Sequence, residues 1–150
     1  MQKTTIIAVG KLKERFWKDA CAEYLKRLSA YTAVTVREVP DSTIDREETA
    51  ILTAFDKLPG DAHIILLDIQ GTQASSTQLA SKLETLAVKG VSHVVFVIGG
   101  SDGVTPAVRA RCNERLSFGP ITLPHNLARV VLLEQVYRAH KIMRGEPYHK

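Results

Sequence analysis

The stretch Val94–Gly103, V-V-F-V-I-G-G-S-D-G, decides the fold. Five apolar residues, mostly β-branched, run directly into paired glycines. That pattern predicts a strand buried on both faces and ending in a sharp turn. Glycine can take positive φ and lets a backbone approach a ligand with no Cβ between them. Ser101, Asp102 and Thr105-Pro106 then supply cap and first-turn residues for a new helix. Ligands of open α/β sheets bind beyond the carboxyl ends of the strands. Gly99 and Gly100 are therefore candidates for the floor of a binding site, although a tight turn with no ligand fits the same residues.

The segments upstream alternate in the same way. Thr4–Val9 reads as a buried strand closed by Gly10, and Lys11–Arg15 as a basic loop. From Phe16 to Leu28, the residues Phe16, Ala20, Tyr24 and Leu28 recur at every fourth position, with Cys21 and Leu25 beside them. This is one face of an amphipathic helix, in which Cys21 is a small core residue. Val34, Val36 and Val39 mark a second strand ending at Pro40-Asp41. Residues 45–58 read as a helix closed by Pro59-Gly60. His63–Ile69 is a third strand, followed by a turn at Gln70-Gly71-Thr72. Residues 75–88 are a helix capped by Ser75 or Ser76, with Leu79, Leu83, Leu86 and Ala87 on one face. Lys89-Gly90 ends it. Strands alternating with helices predict an α/β fold, a mostly parallel sheet flanked by helices, in one domain over residues 1–150.

Composition bounds the function classes. At 150 residues, 45% hydrophobic and 24% charged, the chain is of an ordinary globular kind with a sizeable core. No apolar run approaches the length of a membrane span, and Met1–Gly10 is too short for a signal peptide. The two cysteines, Cys21 and Cys112, have no metal-ligand spacing. The expectation is a cytoplasmic protein with no membrane anchor and no metal. Charge is unevenly placed: residues 1–108 carry 12 Lys/Arg against 13 Asp/Glu, whereas residues 109–150 carry 8 against 3. A basic third beside a pocket suits a polyanion such as nucleic acid, and a solvated helix face accounts for it equally.

In that basic third, Leu116-Ser117-Phe118 is a short apolar piece. Gly119-Pro120-Ile121-Thr122-Leu123-Pro124-His125 follows. Its prolines exclude a helix and weaken strand pairing, so it reads as a rigid loop able to offer backbone groups to a ligand. Asn126 is the expected cap of a last helix, Leu127 to about Arg144. Val130, Val131, Leu132, Leu133, Val136, Tyr137, Ala139, Ile142 and Met143 fall on nearly every side of it. With no helix left to cover a second apolar face, a second subunit is expected there, which predicts a homodimer.

Four motifs in order carry a resemblance: V-I-G-G-S-D-G (97–103), I-T-L-P-H (121–125), L-E-Q-V-Y-R-A (133–139) and R-G-E-P-Y-H-K (144–150). Together they resemble the RlmH family of SPOUT-class methyltransferases, from A-V-G-K (8–11) to the last residue. The resemblance implies a SPOUT-type fold with a C-terminal trefoil knot, which physical reasoning from sequence would reject. It implies a homodimer, S-adenosyl-L-methionine as cofactor, and 23S ribosomal RNA of the assembled ribosome as substrate. The implied reaction methylates N3 of a pseudouridine in the helix 69 loop. The implied cofactor residues are Leu67, Asp68, Gly99, Gly100, Gly119, Pro120, Ile121, Thr122, Leu123 and Pro124. Core packing at Leu67, turn capping by Asp68 and a purely structural 119–124 loop are the plainer readings.

The cofactor carries the hard chemistry, so the protein must position the base, exclude water and help the imide lose its proton. Candidates for that help are His125, Arg138, Tyr148 and His149. Arginine can favour an anionic imide and histidine can accept a proton. Against these roles stand a helix-start residue, an ion pair of Arg138 with Glu134 and a frayed tail. Arg129, Arg138, Lys141 and Arg144 are candidates for holding RNA phosphates. A Rossmann dinucleotide site is excluded because 99–103 does not spell G-x-G-x-x-G and follows the fourth strand. A P-loop is excluded by the absence of G-K-[ST]. The surviving alternative is a non-catalytic RNA- or ribosome-binding module.

Overall fold

The computed structural model describes residues 2–150. Five strands form one sheet in the order β2-β1-β4-β3-β5, with every paired neighbour parallel. The strands are β1 (Lys3–Val9), β2 (Ala33–Val39), β3 (His63–Gln73), β4 (His93–Ile98) and β5 (Glu114–Ser117). The helices are α1 (Arg15–Leu28), α2 (Ile44–Asp56), α3 (Ser76–Val88), α4 (Pro106–Arg111) and α5 (His125–Met143).

The continuous apolar strands are buried on both faces because their side chains alternate between two cores. Ile6 and Ala8 of β1, Ile65 of β3, and Val94, Phe96 and Ile98 of β4 face α1, α3 and α5. Ile7, Val9, Ile64, Leu66, Val95 and Val97 face the other way, toward α2 and α4. The result is three layers with the sheet in the middle. The helix starts follow ordinary capping chemistry. Ser75 and Gln78 form a reciprocal capping box at α3, and Thr43 and Thr105 cap α2 and α4.

Four local expectations differ from the structure. First, Gln70-Gly71-Thr72 is not a turn: β3 runs on to Gln73 and pairs with β5 on both sides of a register shift between Leu67 and Thr72. Gly71 is needed for a close crossing, since a Cβ there would lie 2.8 Å from the Arg115 carbonyl carbon. Second, Phe16 is 62% exposed. The buried stripe of α1 runs through Cys21 and Leu28 with Tyr24 and Leu25 at its flank, and one heptad back it meets the half-buried Trp17. Third, Asn126 lies inside α5, whose N-cap is Pro124. The Asn126 amide oxygen accepts only from Leu127 N–H, so the proline sets the helix start. Fourth, α5 packs between α1 and α3 of its own chain, which cover much of the apolar surface assigned to a partner.

Arg129 is also not a surface phosphate ligand. It is 3% exposed; Nη1 donates to Glu38 at 2.7 Å and Nη2 donates to the Gly10 carbonyl at 3.0 Å. The first turn of α5 is thereby tied to the ends of β1 and β2. Arg129→Met should destabilise the fold by about 2–3 kcal/mol in urea unfolding, somewhat below a fully buried pair because Glu38 is partly exposed. An unchanged midpoint would show that the tie is dispensable.

Burial, and then the nearby Arg144 charge, hold the His140 imidazole below its usual value. His93 is lowered as well, by burial and then Lys3. A histidine lowered in the folded state takes up protons more readily when unfolded, so stability present above the ordinary histidine range is lost as pH falls. The melting temperature should therefore drop between about pH 7 and pH 5. His140→Phe should make that drop shallower, as scanning calorimetry across the range would show.

Candidate functional site: a cavity at the strand ends

A cavity of about 700 Å³ opens at the carboxyl ends of β3, β4 and β5. This is the volume of a small-molecule or cofactor site. Three segments build it: the β3 end, the turn after β4 and the loop leading into α5. Leu67, Asp68, Gly99, Gly100, Gly119, Ile121, Thr122, Leu123, Pro124 and His125 all line it, and Pro120 does not. Ile69 and Ile121 stand exposed in its wall.

The glycine turn has its shape for a different reason from the one expected. Neither Gly99 nor Gly100 has positive φ; in this turn only Gly103 does, at 76°. Their missing side chains would point into the protein. A Cβ on Gly99 would lie 2.9 Å from Val104 Cγ1, and one on Gly100 would lie 2.8 Å from Glu47 Oε1. Glu47 is itself buried, and its carboxylate accepts from Ser42 N–H at 2.9 Å. The turn is thus pressed flat from behind, leaving its backbone to face the cavity. Gly100→Ala should lose about 1–3 kcal/mol in urea unfolding through this collision. Glu47→Ala in the same chain should recover part of the loss. Strict additivity of the two substitutions would contradict the contact.

The opposite wall is backbone as well. Gly119 takes φ 108°, with no atom within 4 Å of where a Cβ would go. Ser117 Oγ pins the loop start, donating to the Ile69 carbonyl and accepting from Gly119 N–H. Residues 121–123 belong to no helix or strand, and among the described residues their N–H groups make no backbone hydrogen bond. Such groups need a ligand or water partner. Together with the apolar Ile98, Leu116 and Phe118 they suit a flat heteroaromatic ring with donor and acceptor edges.

Charge in the cavity is sparse. Asp68 lies 3.6 Å from Arg109 Nε and 3.4 Å from Arg115 Nη1, and its other oxygen accepts from Gln70 N–H. That local contact lies within β3, where no turn is present for it to cap, and Asp68 also stands on the cavity wall. Arg109 also lines the cavity; sequence carries no signal for it, because a basic residue in a short helix resembles any solvated face. The His125 ring packs on Gly10, where a Cβ would lie 3.2 Å from Cε1, and His125 Nδ1 is buried with no partner among the described residues.

Arg138, Tyr148 and His149 gather elsewhere. Arg138 lies thirteen residues beyond His125, about 20 Å along α5 at 1.5 Å per residue. There Glu134 accepts from Arg138 Nη2 and from the Tyr148 hydroxyl, each at 2.8 Å. Arg138 Nη1 is 3.1 Å from His149 Nδ1, which must accept because guanidinium only donates. Tyr148 stacks edge-on against Tyr137 at 4.9 Å. Burial and then the Glu134 carboxylate push the Tyr148 phenol up to about 12, so it stays protonated at neutral pH. Burial opposes ionisation of Glu134, but the Arg138 and Tyr148 hydrogen bonds outweigh it and hold the carboxyl below its usual value. The tail is docked, and the Glu134 ion pair coexists with the cluster. Within one chain the cluster does not reach the cavity.

Residues 2–149 match the family profile described as predicted SPOUT methyltransferase. The chain belongs to the SPOUT methyltransferase family. It is 52% identical to the ribosomal RNA large subunit methyltransferase H of Listeria monocytogenes serotype 4b (strain CLIP80459), over 97% of this chain and 98% of that one. It is 51% identical to the protein of the same name from Bacillus cereus (strain B4264), with the same coverage. These relatives place it with the RlmH type that the four motifs resemble. Two solved structures share the fold. One is a probable methylase family protein from Haemophilus influenzae Rd KW20, with a TM-score of 0.59 at 14% identity, over 99% of this chain and 71% of that one. The other is the SpoU methyltransferase AviRb from Streptomyces viridochromogenes in complex with AdoMet, with a TM-score of 0.50 at 10% identity, over 97% and 59%. Among the described residues, no helix is long and apolar enough to cross a membrane and no group of side chains could hold a metal ion.

Proposed function

We propose that this SPOUT protein is a cytoplasmic, S-adenosyl-L-methionine-dependent methyltransferase acting on N3 of a pseudouridine in helix 69 of 23S rRNA, in the assembled ribosome. The observation that carries the reading is 52% identity, over nearly the whole of both chains, to a relative named ribosomal RNA large subunit methyltransferase H. The cavity supports it: two backbone walls, the 99–100 turn and the 119–124 loop, face one volume large enough for the cofactor.

When bound, the cofactor would supply an electrophilic methyl group on a sulfonium, the electrons of the broken S–CH3 bond staying with sulfur as the neutral thioether leaves. The chain's own part is placement and charge. The unpaired backbone of 121–123 recognises the nucleoside edge, and Ile121 and Phe118 exclude water from it. The N3–H bond of the base must break as the new N–C bond forms. Arg138 favours the resulting imide anion electrostatically. His125, whose Nδ1 has no partner among the described residues, is an imidazole available to accept the proton, and His149 can do so once its Nδ1 is released from Arg138. Tyr148, protonated and bound to Glu134, positions Arg138.

The proposal is dimeric. Arg138 lies about 20 Å along α5 from the cavity residue His125, so the tail of one subunit completes the cavity of the other across a two-fold axis. It also includes the trefoil threading. The outer part of β3 pairs across β5 beyond its register shift, Ser117 is bonded to Ile69, and α5 continues to the opposite face between α1 and α3.

Deleting Pro147–Lys150 should leave S-adenosylmethionine binding by calorimetry within about twofold. It should lower methylation of unmodified ribosomes by at least about a hundredfold, the loss expected of a misplaced catalytic group. Mixing the truncated chain with a full-length chain carrying Gly119→Val should restore part of the activity if the tail works across the dimer. A truncated enzyme as fast as the full chain would sink the assignment of Arg138, Tyr148 and His149. Absence of cofactor binding by the intact protein would favour a non-catalytic ribosome-binding module.

A further inference from the structure

The cluster of aromatic and basic side chains at the start of α1 has no part in the cavity or the tail. Residues 11–18 read K-L-K-E-R-F-W-K. Lys11, Lys13, Arg15, Phe16 and Lys18 are all exposed. Phe16 and Trp17 form an aromatic pair with ring centroids 4.8 Å apart and planes tilted by 54°. Phe16 keeps 62% of its surface in solvent, whereas the exposed Ile69 and Ile121 belong to the cavity wall. The cations are barely engaged: Arg15 approaches Asp19 only to 3.9 Å, with both side chains largely in solvent.

The segment is also well placed. It leaves the sheet at Gly10, the carboxyl end of β1, and Gly10 is held by Arg129 and packs on the cavity residue His125. Phe16 follows six residues later, within about 20 Å even if the chain were extended. Leu12 packs on the core, so the segment is anchored.

Resting on the ribosomal RNA reading above, we infer that Lys11, Lys13, Phe16, Trp17 and Lys18 form a second RNA-docking surface, on which an unpaired base stacks against Phe16 while the lysines hold flanking phosphates. Exposed aromatic rings beside free cations are the physical requirement for binding single-stranded nucleic acid, since every base has a π-face and every nucleotide a phosphate. A second copy of the chain is a poor occupant. A two-fold contact through this patch would bring its lysines against their own copies, and like charges facing each other oppose association. The +5 region of residues 109–150 is therefore not the whole electrostatic footprint: this lysine cluster lies in the N-terminal part, whose overall charge is nearly balanced.

The test measures dissociation constants for isolated large ribosomal subunits and for a fluorescein-labelled oligouridylate across a salt series. Phe16→Ala should weaken oligouridylate binding about tenfold, the usual loss for one stacked base. Phe16→Leu, which keeps apolar area without the π-face, should fall with it, and Phe16→Trp should restore binding. Lys13→Gln with Lys18→Gln should flatten the log–log salt slope by about 1.4, close to 0.7 for each phosphate on a single strand. Thermal unfolding should be unaltered in all of them, because these side chains are exposed. Phe16→Ala or Phe16→Leu binding like wild type, with wild type binding both probes, overturns this inference alone. Sedimentation showing that Phe16→Ala splits a dimer without weakening the binding of oligouridylate overturns it by making the patch a contact between copies. Wild-type protein that binds neither probe overturns it together with the ribosomal RNA reading.

Discussion

The buried guanidinium of Arg129 holds the parts of this molecule that would otherwise be independent. The chain reaches α5 from β5, at the edge of the sheet, yet α5 packs over the face that carries α1 and α3. A charge taken out of water must be matched by partners, and here they are Glu38 at the end of β2 and the Gly10 carbonyl just beyond β1. Satisfying that charge locates the first turn of α5 to within a hydrogen bond. His125, one turn earlier, is thereby set against Gly10, and the 119–124 loop becomes the remaining wall of the cavity. The site is backbone-rich because its walls are the exits of strands whose middles are held by two cores.

The same logic explains why the glycine turn is flat. Gly99 and Gly100 face Val104 and Glu47 at distances that leave no room for a methyl group. Packing from behind sets the turn, and the cavity in front inherits its shape. A binding surface made in this way is rigid before any ligand arrives, which lowers the ordering cost of binding.

The C-terminal cluster shows the limits of a single chain. Arg138, Tyr148, His149 and Glu134 form a connected set of charge-assisted bonds, with the tail docked by Tyr148 on Tyr137. The helix carries Arg138 about 20 Å from the cavity residue His125. Within one chain, then, the cluster and the cavity are two separate places, and α1 and α3 already cover much of the apolar surface of α5.

Much of the fold was legible in the amino-acid order because it is written in local periodicity. Val94–Ile98 and His63–Ile69 are unbroken apolar runs, and only strands covered on both faces can bury such runs. Ser75 with Gln78, Thr105 with Pro106, and the Gly119–Pro124 punctuation depend on neighbours three or four residues away, so they too could be read directly. What the tertiary structure alone decided involves partners far apart in the chain. The continuation of β3 through Gly71 depends on the approach of Arg115. The burial of Arg129, which composition placed on a basic surface, depends on Glu38, 91 residues away. The exposure of Phe16 depends on which side of α1 meets the sheet, and a period of 3.6 residues cannot distinguish two stripes that both contain aromatic residues. Local pattern states what each segment can bury. Only the assembled layers determine which atoms it meets.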